Sequence, residues 1–121
     1  MSYHDSHGFV SRGDPSTYDR TETTLTEDAA WHNLDLSAVV PTGAKSILFK
    51  AYAKSGSAGA YMYLRPTGST NSYAAGVVYT QVANIYSFEI MGVPCDSSQD
   101  VQYYVTTNMT AEGLVVMGWW F

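Results

Sequence analysis

The sequence has little charge and no basic cluster. Lysine, arginine, aspartate and glutamate together make up 14% of the 121 residues, whereas about a quarter is usual for a soluble domain. The formal net charge is −5, and no segment concentrates lysine or arginine. Proteins that bind nucleic acid use such clusters to neutralise phosphates. The sequence therefore argues against a nucleic-acid partner.

Cysteine is nearly absent, because Cys95 is the only one in the chain. A single cysteine cannot form an intramolecular disulfide, so the fold does not depend on an oxidising compartment. The N-terminus lacks the basic and apolar regions of a secretory signal. No apolar run approaches the roughly 18 residues that span a bilayer. We therefore expect assembly in the cytoplasm and no membrane partner.

Motifs for catalysis and for cofactor binding are also missing. The sequence has no Gly-x-Ser-x-Gly motif, and its glycine-rich turns are not followed by the lysine and helix of a phosphate loop. His32 and Asp35 are three positions apart, which on a strand sends their side chains to opposite faces. His4, Asp5 and His7 offer too few ligands for a metal site within one chain. We expect no enzyme activity, no metal and no cofactor.

Residues that favour β-strands are abundant. The chain contains twelve Thr, eleven Val and ten Tyr, which suit the half-buried surface of a pleated sheet. The segment KSILFKAYAK alternates, and it places Ile47, Phe49 and Ala51 on one face, which we expect to be the core face. Turn-forming residues separate about eight such segments. The pattern predicts an all-β fold, an antiparallel β-sandwich of jelly-roll type.

The first 28 residues differ from the rest in charge and in apolar content. Residues 1–28 carry a net charge of −4 and residues 29–121 a net charge of −1. We expect an extended N-terminal arm over residues 1–28 and a sandwich domain over 29–121 that folds without it. The arm is either disordered alone or ordered by packing on something else, and residues 21–26 are a possible edge strand. Its candidate partner-binding residues are Phe9, Val10, Tyr18 and Leu25.

Large aromatic residues end the chain. Alternation sends Trp119 and Phe121 to one face of a strand and Trp120 to the other. One set can fill the core, and the other is then exposed, covered by another subunit or covered by the protein's own arm. Exposed aromatic residues mark protein interfaces or stack on sugars. The tyrosine-rich strands pose the same choice, so the candidate interface aromatics are Trp119, Trp120, Phe121, Tyr61, Tyr63 and Tyr104.

The segment from residue 31 to residue 48 has the pattern W-H-x-L-D-L-S-x-x-V-P-x-G-A-K-x-I-L. This pattern resembles a recurrent β-sandwich module of tailed-bacteriophage virion proteins, which include capsid decoration (cement) proteins, head fibres and tail-fibre tips. The LRPTGS turn at residues 64–69 and the closing VVMGWWF at 115–121 extend the resemblance. It covers roughly residues 25–121 and leaves out the arm. Its motifs consist of turn and core residues, so they indicate fold more than function.

The resemblance implies a jelly-roll-like sandwich, usually trimeric, that works by adhesion. We expect a virion structural protein that decorates the outer surface of a phage head and stabilises it through a trimeric sandwich and the arm. Its partners would be the major capsid protein and two further copies of the chain, and its location the virion. The alternative is a receptor- or carbohydrate-binding module of a tail fibre or head fibre, with a host-surface glycan as ligand.

Overall fold

The structure, a computed structural model, describes residues 8–71 and 76–121. Within these residues the regular secondary structure consists of β-strands, without a helix. The strands are β1 (Phe9–Ser11), β2 (Arg20–Thr21), β3 (His32–Asp35), β4 (Ser46–Lys54), β5 (Tyr61–Pro66), β6 (Gly76–Tyr79), β7 (Ser87–Pro94), β8 (Asp100–Val105) and β9 (Ala111–Trp120).

The strands form two antiparallel sheets that pack against each other. Sheet A has the order β1-β9-β4-β7, and β2 also pairs with β9. Sheet B has the order β3-β8-β5-β6. The predicted antiparallel β-sandwich is therefore confirmed, and one hydrophobic core lies between the sheets.

Alternation along each strand decides which side chains reach that core. On β4, Ile47, Phe49 and Ala51 are fully buried, as the pattern predicts, while Leu48 and Lys50 point to the outer face and remain partly accessible. The strands of sheet B obey the same rule. Their fully buried core residues are Met62, Leu64, Val78, Val101 and Val105.

A β-bulge at Met117 resets the alternation of β9. The register between β4 and β9 shifts at this point, so Met117 has no opposite residue on β4. Strict alternation would place Val116 and Trp120 on the same face. With the extra residue, Val116 and Trp119 share the inner face, where Val116 is fully buried and Trp119 packs against the core. Trp120 therefore lies on the outer face of sheet A.

The N-terminal segment packs along sheet A of its own chain. Val10 pairs with Trp119, and β2 pairs with β9 further along. Between these pairings, Asp19 Oδ2 accepts a hydrogen bond from the Arg12 guanidinium at 2.6 Å and another from the backbone N–H of Val116 at 2.8 Å. Of the two alternatives for the arm, packing on something else is what the described residues show, and its partner is the sandwich itself. The domain boundary near residue 28 stays a prediction.

Leu25 corrects one expectation for the arm. Its side chain is 6% exposed and belongs to the hydrophobic core, so it cannot present itself to a partner in this conformation. The reason is a turn rather than the predicted edge strand over residues 21–26, because the N–H groups of Thr24 and Leu25 both donate to the Thr21 carbonyl. The chain then crosses to sheet B, where Ala29 N–H donates to the Val105 carbonyl at 2.9 Å.

Candidate functional site

An exposed apolar surface lies along β7 on the outer face of sheet A. Phe88 is 53% exposed and Ile90 59% exposed, and Tyr86, just before the strand, is half exposed. Tyr52 on β4 lies opposite Phe88 in the sheet, and Tyr18 of the arm packs on Tyr52. We call these five residues the β7 patch.

The position of β7 in the sheet explains the exposure. It is an edge strand, paired only with β4 among the described strands. The arm covers the other half of the same outer face, where residues 15–18 lie beside Lys50 and Val115 and Val115 is buried. Because the described part of the arm reaches only as far as Tyr52, it leaves the outward side chains of β7 uncovered.

The ring side chains of the β7 patch form a shallow groove. Tyr18, Tyr52, Tyr86 and Phe88 line a volume of about 240 Å³. Tyr52 forms its floor, with ring centroids 4.6 Å from Tyr18 and 5.8 Å from Tyr86. Burial, and then the nearby charge of Glu22, raise the pKa of Tyr52 to about 12. Its hydroxyl therefore stays protonated and neutral near physiological pH.

Two lysines flank the β7 patch. Lys50 Nζ lies 5.2 Å from the centroid of the Phe88 ring, and Lys54 Nζ lies 5.0 Å from that of Tyr86. Ammonium groups at this distance are attracted to the ring face. The patch thus combines apolar area with a cationic border, which suits a protein surface that offers apolar side chains beside carboxylates.

Sheet B carries a second aromatic surface on its outer face. Tyr63 on β5 lies opposite Tyr104 on β8, and Tyr61 lies opposite Tyr79 on β6. Trp31, which immediately precedes β3, stacks on Tyr63 with centroids 5.8 Å apart and an interplanar angle of 19°. We call these five residues the tyrosine cluster.

Arg65 anchors the tyrosine cluster. Its guanidinium carbon lies 3.7 Å from the centroid of the Trp31 ring. Nε donates to Gln102 Oε1 at 2.9 Å, and Nη1 donates to the Asn71 carbonyl at 3.3 Å. The side chain is buried despite its charge. It therefore holds Trp31 and the loop after β5 in fixed positions relative to the sheet.

These side chains enclose one side of an open depression of about 460 Å³. Its lining residues are Trp31, Tyr61, Tyr63, Arg65, Thr70, Asn71 and Tyr104. Burial raises the pKa of Tyr61 and of Tyr63, and the neighbouring Tyr104 and Tyr79 respectively raise them further. The hydroxyl groups of Tyr61 and Tyr63 are therefore neutral hydrogen-bonding groups.

The C-terminal aromatics are covered largely by their own chain. Trp119 packs against the core, and Phe9 of the arm lies on Trp120 with ring centroids 4.9 Å apart. Phe9, Val10 and Phe121 each keep roughly two fifths of their surface accessible. Cover by the arm is therefore the alternative that the structure shows for Trp120. Contact of these residues with another subunit or a capsid stays a prediction.

A buried carboxyl group of β9 lies beside a carboxyl group of the arm. Glu112 on β9 is fully buried and lies close to Glu27. Neither Glu112 oxygen has a donor among the described residues. Burial, followed by the proximity of Glu27, raises the pKa of Glu112 to about 9. At neutral pH the Glu112 carboxyl is therefore protonated, and its O–H can donate to Glu27.

The possible metal ligands at the N-terminus, His4, Asp5 and His7, lie outside the described residues. In the part of the chain that the structure describes, no group of three or more His, Cys, Asp or Glu side chains is placed to hold a metal ion. His32 is paired with Asp28, with Nε2 and Oδ1 2.8 Å apart.

No helix among residues 8–71 and 76–121 has the length and apolar character needed to cross a membrane. Comparison of the sequence with protein-family models and with curated proteins finds no match.

Sequence reasoning selected three of the five residues of the tyrosine cluster, but of the β7 patch it selected only Tyr18. The three selected residues of the cluster are Tyr61, Tyr63 and Tyr104. They were not connected with Trp31 and Arg65, because the spacing of residues in the sequence does not show that β3 and β5 lie on either side of β8. It did not select the exposed residues of β7 either. A signal was present there, since the strand is apolar on both faces: Phe88 and Ile90 on one, Met91 and Val93 on the other.

Proposed function

We propose that the protein is a structural component of a bacteriophage virion that decorates the head and docks on the capsid through the β7 patch. The observation that carries the proposal is the half or greater exposure of Tyr86, Phe88 and Ile90 on the edge of a well-packed sheet. Apolar side chains grouped in this way mark protein-binding surfaces. The resemblance of the segment at residues 31–48 to phage virion sandwiches supports the choice of partner.

The strand order supports a sandwich of the jelly-roll type. If β1 and β2 count as one interrupted edge strand, each sheet has four strands. The first and last strands then pair in sheet A, the second and the next-to-last pair in sheet B, and the nesting continues inward to β5 and β6. This nesting is what two interlocked Greek keys produce.

A homotrimer would strengthen the proposed docking. The β7 patch has few large side chains, so a single contact with the capsid would be weak. Three copies held together would present three patches, and the second and third contacts would form at a high effective concentration. Lys50 and Lys54 at the border of the patch favour a shell surface that carries carboxylates beside apolar residues.

A binding role is also consistent with the chemistry of the described side chains. The two surfaces present rings, phenols and amides rather than an activated nucleophile. The perturbed carboxyl group of Glu112 is closed to solvent, so no substrate reaches it. Cys95 is isolated as well, because burial raises the pKa of its thiol, which donates to the Ala44 carbonyl.

The test uses empty capsids of the phage and the variant Phe88→Ser/Ile90→Ser. Loss of buried area at these two side chains removes about 1.5–3 kcal/mol each, so we expect at least a hundredfold weaker co-sedimentation with capsids. Tyr79→Ser, which removes a similarly exposed ring from sheet B, is the matched control and keeps binding. Undiminished binding by the double variant would refute docking through the patch.

The same assay separates the two function classes. If the intact protein ignores capsids but attaches to host cells, the receptor-binding alternative replaces decoration. If the double variant loses the oligomer instead of capsid affinity, the β7 patch is the contact between subunits. Sedimentation of the variant without capsids distinguishes that outcome.

A further inference from the structure

We propose that the depression beside the tyrosine cluster binds a neutral, polyhydroxylated ligand, namely a short stretch of uncharged glycan. The site lies on sheet B, on the opposite side of the sandwich from the β7 patch. The proposal therefore stands or falls independently of capsid docking.

The volume and lining of the depression fit such a ligand. Its volume of about 460 Å³ lies within the roughly 300–1,000 Å³ of small-molecule sites. Sugar rings present C–H faces that pack on aromatic rings and hydroxyl groups that need hydrogen-bonding partners at the edge. The walls supply both, because every ring except that of Trp31 carries a phenolic hydroxyl, and Thr70 adds another.

The absence of aliphatic side chains distinguishes this surface from the β7 patch. None of the described residues that line the depression is aliphatic. The β7 patch, by contrast, contains Ile90 and continues to Ile85 and Val82, which are both more than half exposed. Aliphatic side chains contribute apolar area to a protein interface without hydrogen-bonding capacity, whereas the tips of tyrosine offer a hydroxyl at every ring. The lining of sheet B thus matches a ligand that is apolar on its faces and polar at its edges.

Charge favours a neutral ligand over an ionic one. None of the described lining residues is acidic, so the depression offers no ion pair to a cation. Arg65, the one cationic group among the described lining residues, is buried and already engaged by the Trp31 ring, by Gln102 and by the Asn71 carbonyl. An anionic sugar would have to displace these contacts to reach the guanidinium.

The site is also preorganised. Trp31 contacts the Arg65 guanidinium and also forms a nearly parallel stack with Tyr63. Tyr61 and Tyr104 are stacked with an interplanar angle of 7°. Side chains held in this way lose little conformational entropy when a ligand binds, and this reduces the cost of association.

The experiment screens the full chain on an array of neutral and anionic glycans and then titrates the strongest neutral oligosaccharide by calorimetry. We expect neutral glycans to bind with a Kd of about 1 mM or tighter. Trp31→Ala should weaken this binding at least tenfold. Phe88→Ser on the opposite sheet is the matched control and should leave it unchanged. Thermal melting of each variant checks that the fold is kept.

Two milder variants keep the test decisive if Trp31→Ala fails to fold. Tyr104→Phe and Thr70→Ala each remove one hydroxyl from the lining, and each should weaken binding severalfold without a change in melting temperature. The proposal is overturned if no neutral glycan on the array binds, if only anionic glycans bind, or if the folded variants bind as tightly as the wild type.

Discussion

Replacing Glu112 with glutamine should stabilise the protein at mildly alkaline pH. In the folded state the Glu112 carboxyl is fully buried beside Glu27, and its pKa is about 9 against an ordinary value of 4.5. Between these two values the folded chain holds a proton at Glu112 that the unfolded chain has released. The free energy of unfolding therefore falls as the pH rises through this window.

The size of the effect follows from the width of the window. Each pKa unit corresponds to about 1.4 kcal/mol, so a rise from about pH 5 to about pH 8 would remove up to about 4 kcal/mol of stability at a single isolated site. Because Glu112 interacts with Glu27 and is not an isolated site, we expect a loss of about 2–4 kcal/mol over this range. A glutamine at position 112 is neutral at every pH, and its amide N–H can donate to the Glu27 carboxylate. Glu112→Gln should therefore match the wild type near pH 5 and exceed it by about 2–4 kcal/mol near pH 8.

Urea unfolding at a series of pH values, followed by tryptophan fluorescence, measures this difference. Because the other titrating groups are common to both proteins, the difference in unfolding free energy between wild type and variant reports on position 112. Glu89→Gln, at an exposed position on β7, is the control and should leave the pH profile unchanged. If wild type and Glu112→Gln lose stability in parallel between pH 5 and pH 8, the carboxyl pair does not hold the proton and the reasoning fails.

Three further predictions concern the core, the arm and the assembly. Phe49→Ala should lower the free energy of unfolding by about 3–5 kcal/mol, because Phe49 is fully buried. Leu48→Ala, on the outer face of the same strand, should lower it by less. Equal losses for the two variants in urea titrations would show that the buried face is wrongly assigned. Deletion of residues 1–24 should lower the melting temperature, because it removes the pairing of β1 and β2 with β9 and the Asp19 hydrogen bonds; an unchanged transition would restore the expectation of an independent domain. Analytical ultracentrifugation at micromolar concentration should show a species near three times 13.2 kDa, and a monomer throughout that range, with or without capsids, would contradict the trimer.

Local pattern was sufficient to predict the class of fold and the orientation of its best strands. In β4 the alternation of large apolar residues with lysines identified the buried face of Phe49 correctly, because one face of that strand meets the opposite sheet. The bulge at Met117 was not predictable in the same way, since it depends on the register with β4. Even so, Trp119 falls on the inner face because the alternation resumes after the extra residue.

The arm shows where sequence reasoning is weakest. Its few apolar residues predict that the arm buries too little apolar area to fold alone, and this prediction applies to the segment in isolation. The structure orders it through long-range contacts: Asp19 reaches the backbone of Val116, and Leu25 enters the core. The tyrosine cluster has the same character, because Arg65 meets Trp31 only when β5, β8 and β3 are side by side. Such contacts are properties of the topology rather than of any short segment.

The pairing of β9 has a consequence for how the chain folds. Of the described strands β9 is the last to leave the ribosome, and β1, β2 and β4 all pair with it in sheet A. Contacts between such distant parts of a chain close slowly. Until β9 emerges, β4 has only β7 beside it, and Ile47 and Phe49 lack the neighbouring strand that covers them. Sheet A therefore forms late in synthesis, and a nascent chain stalled before residue 111 should depend on a chaperone to avoid aggregation.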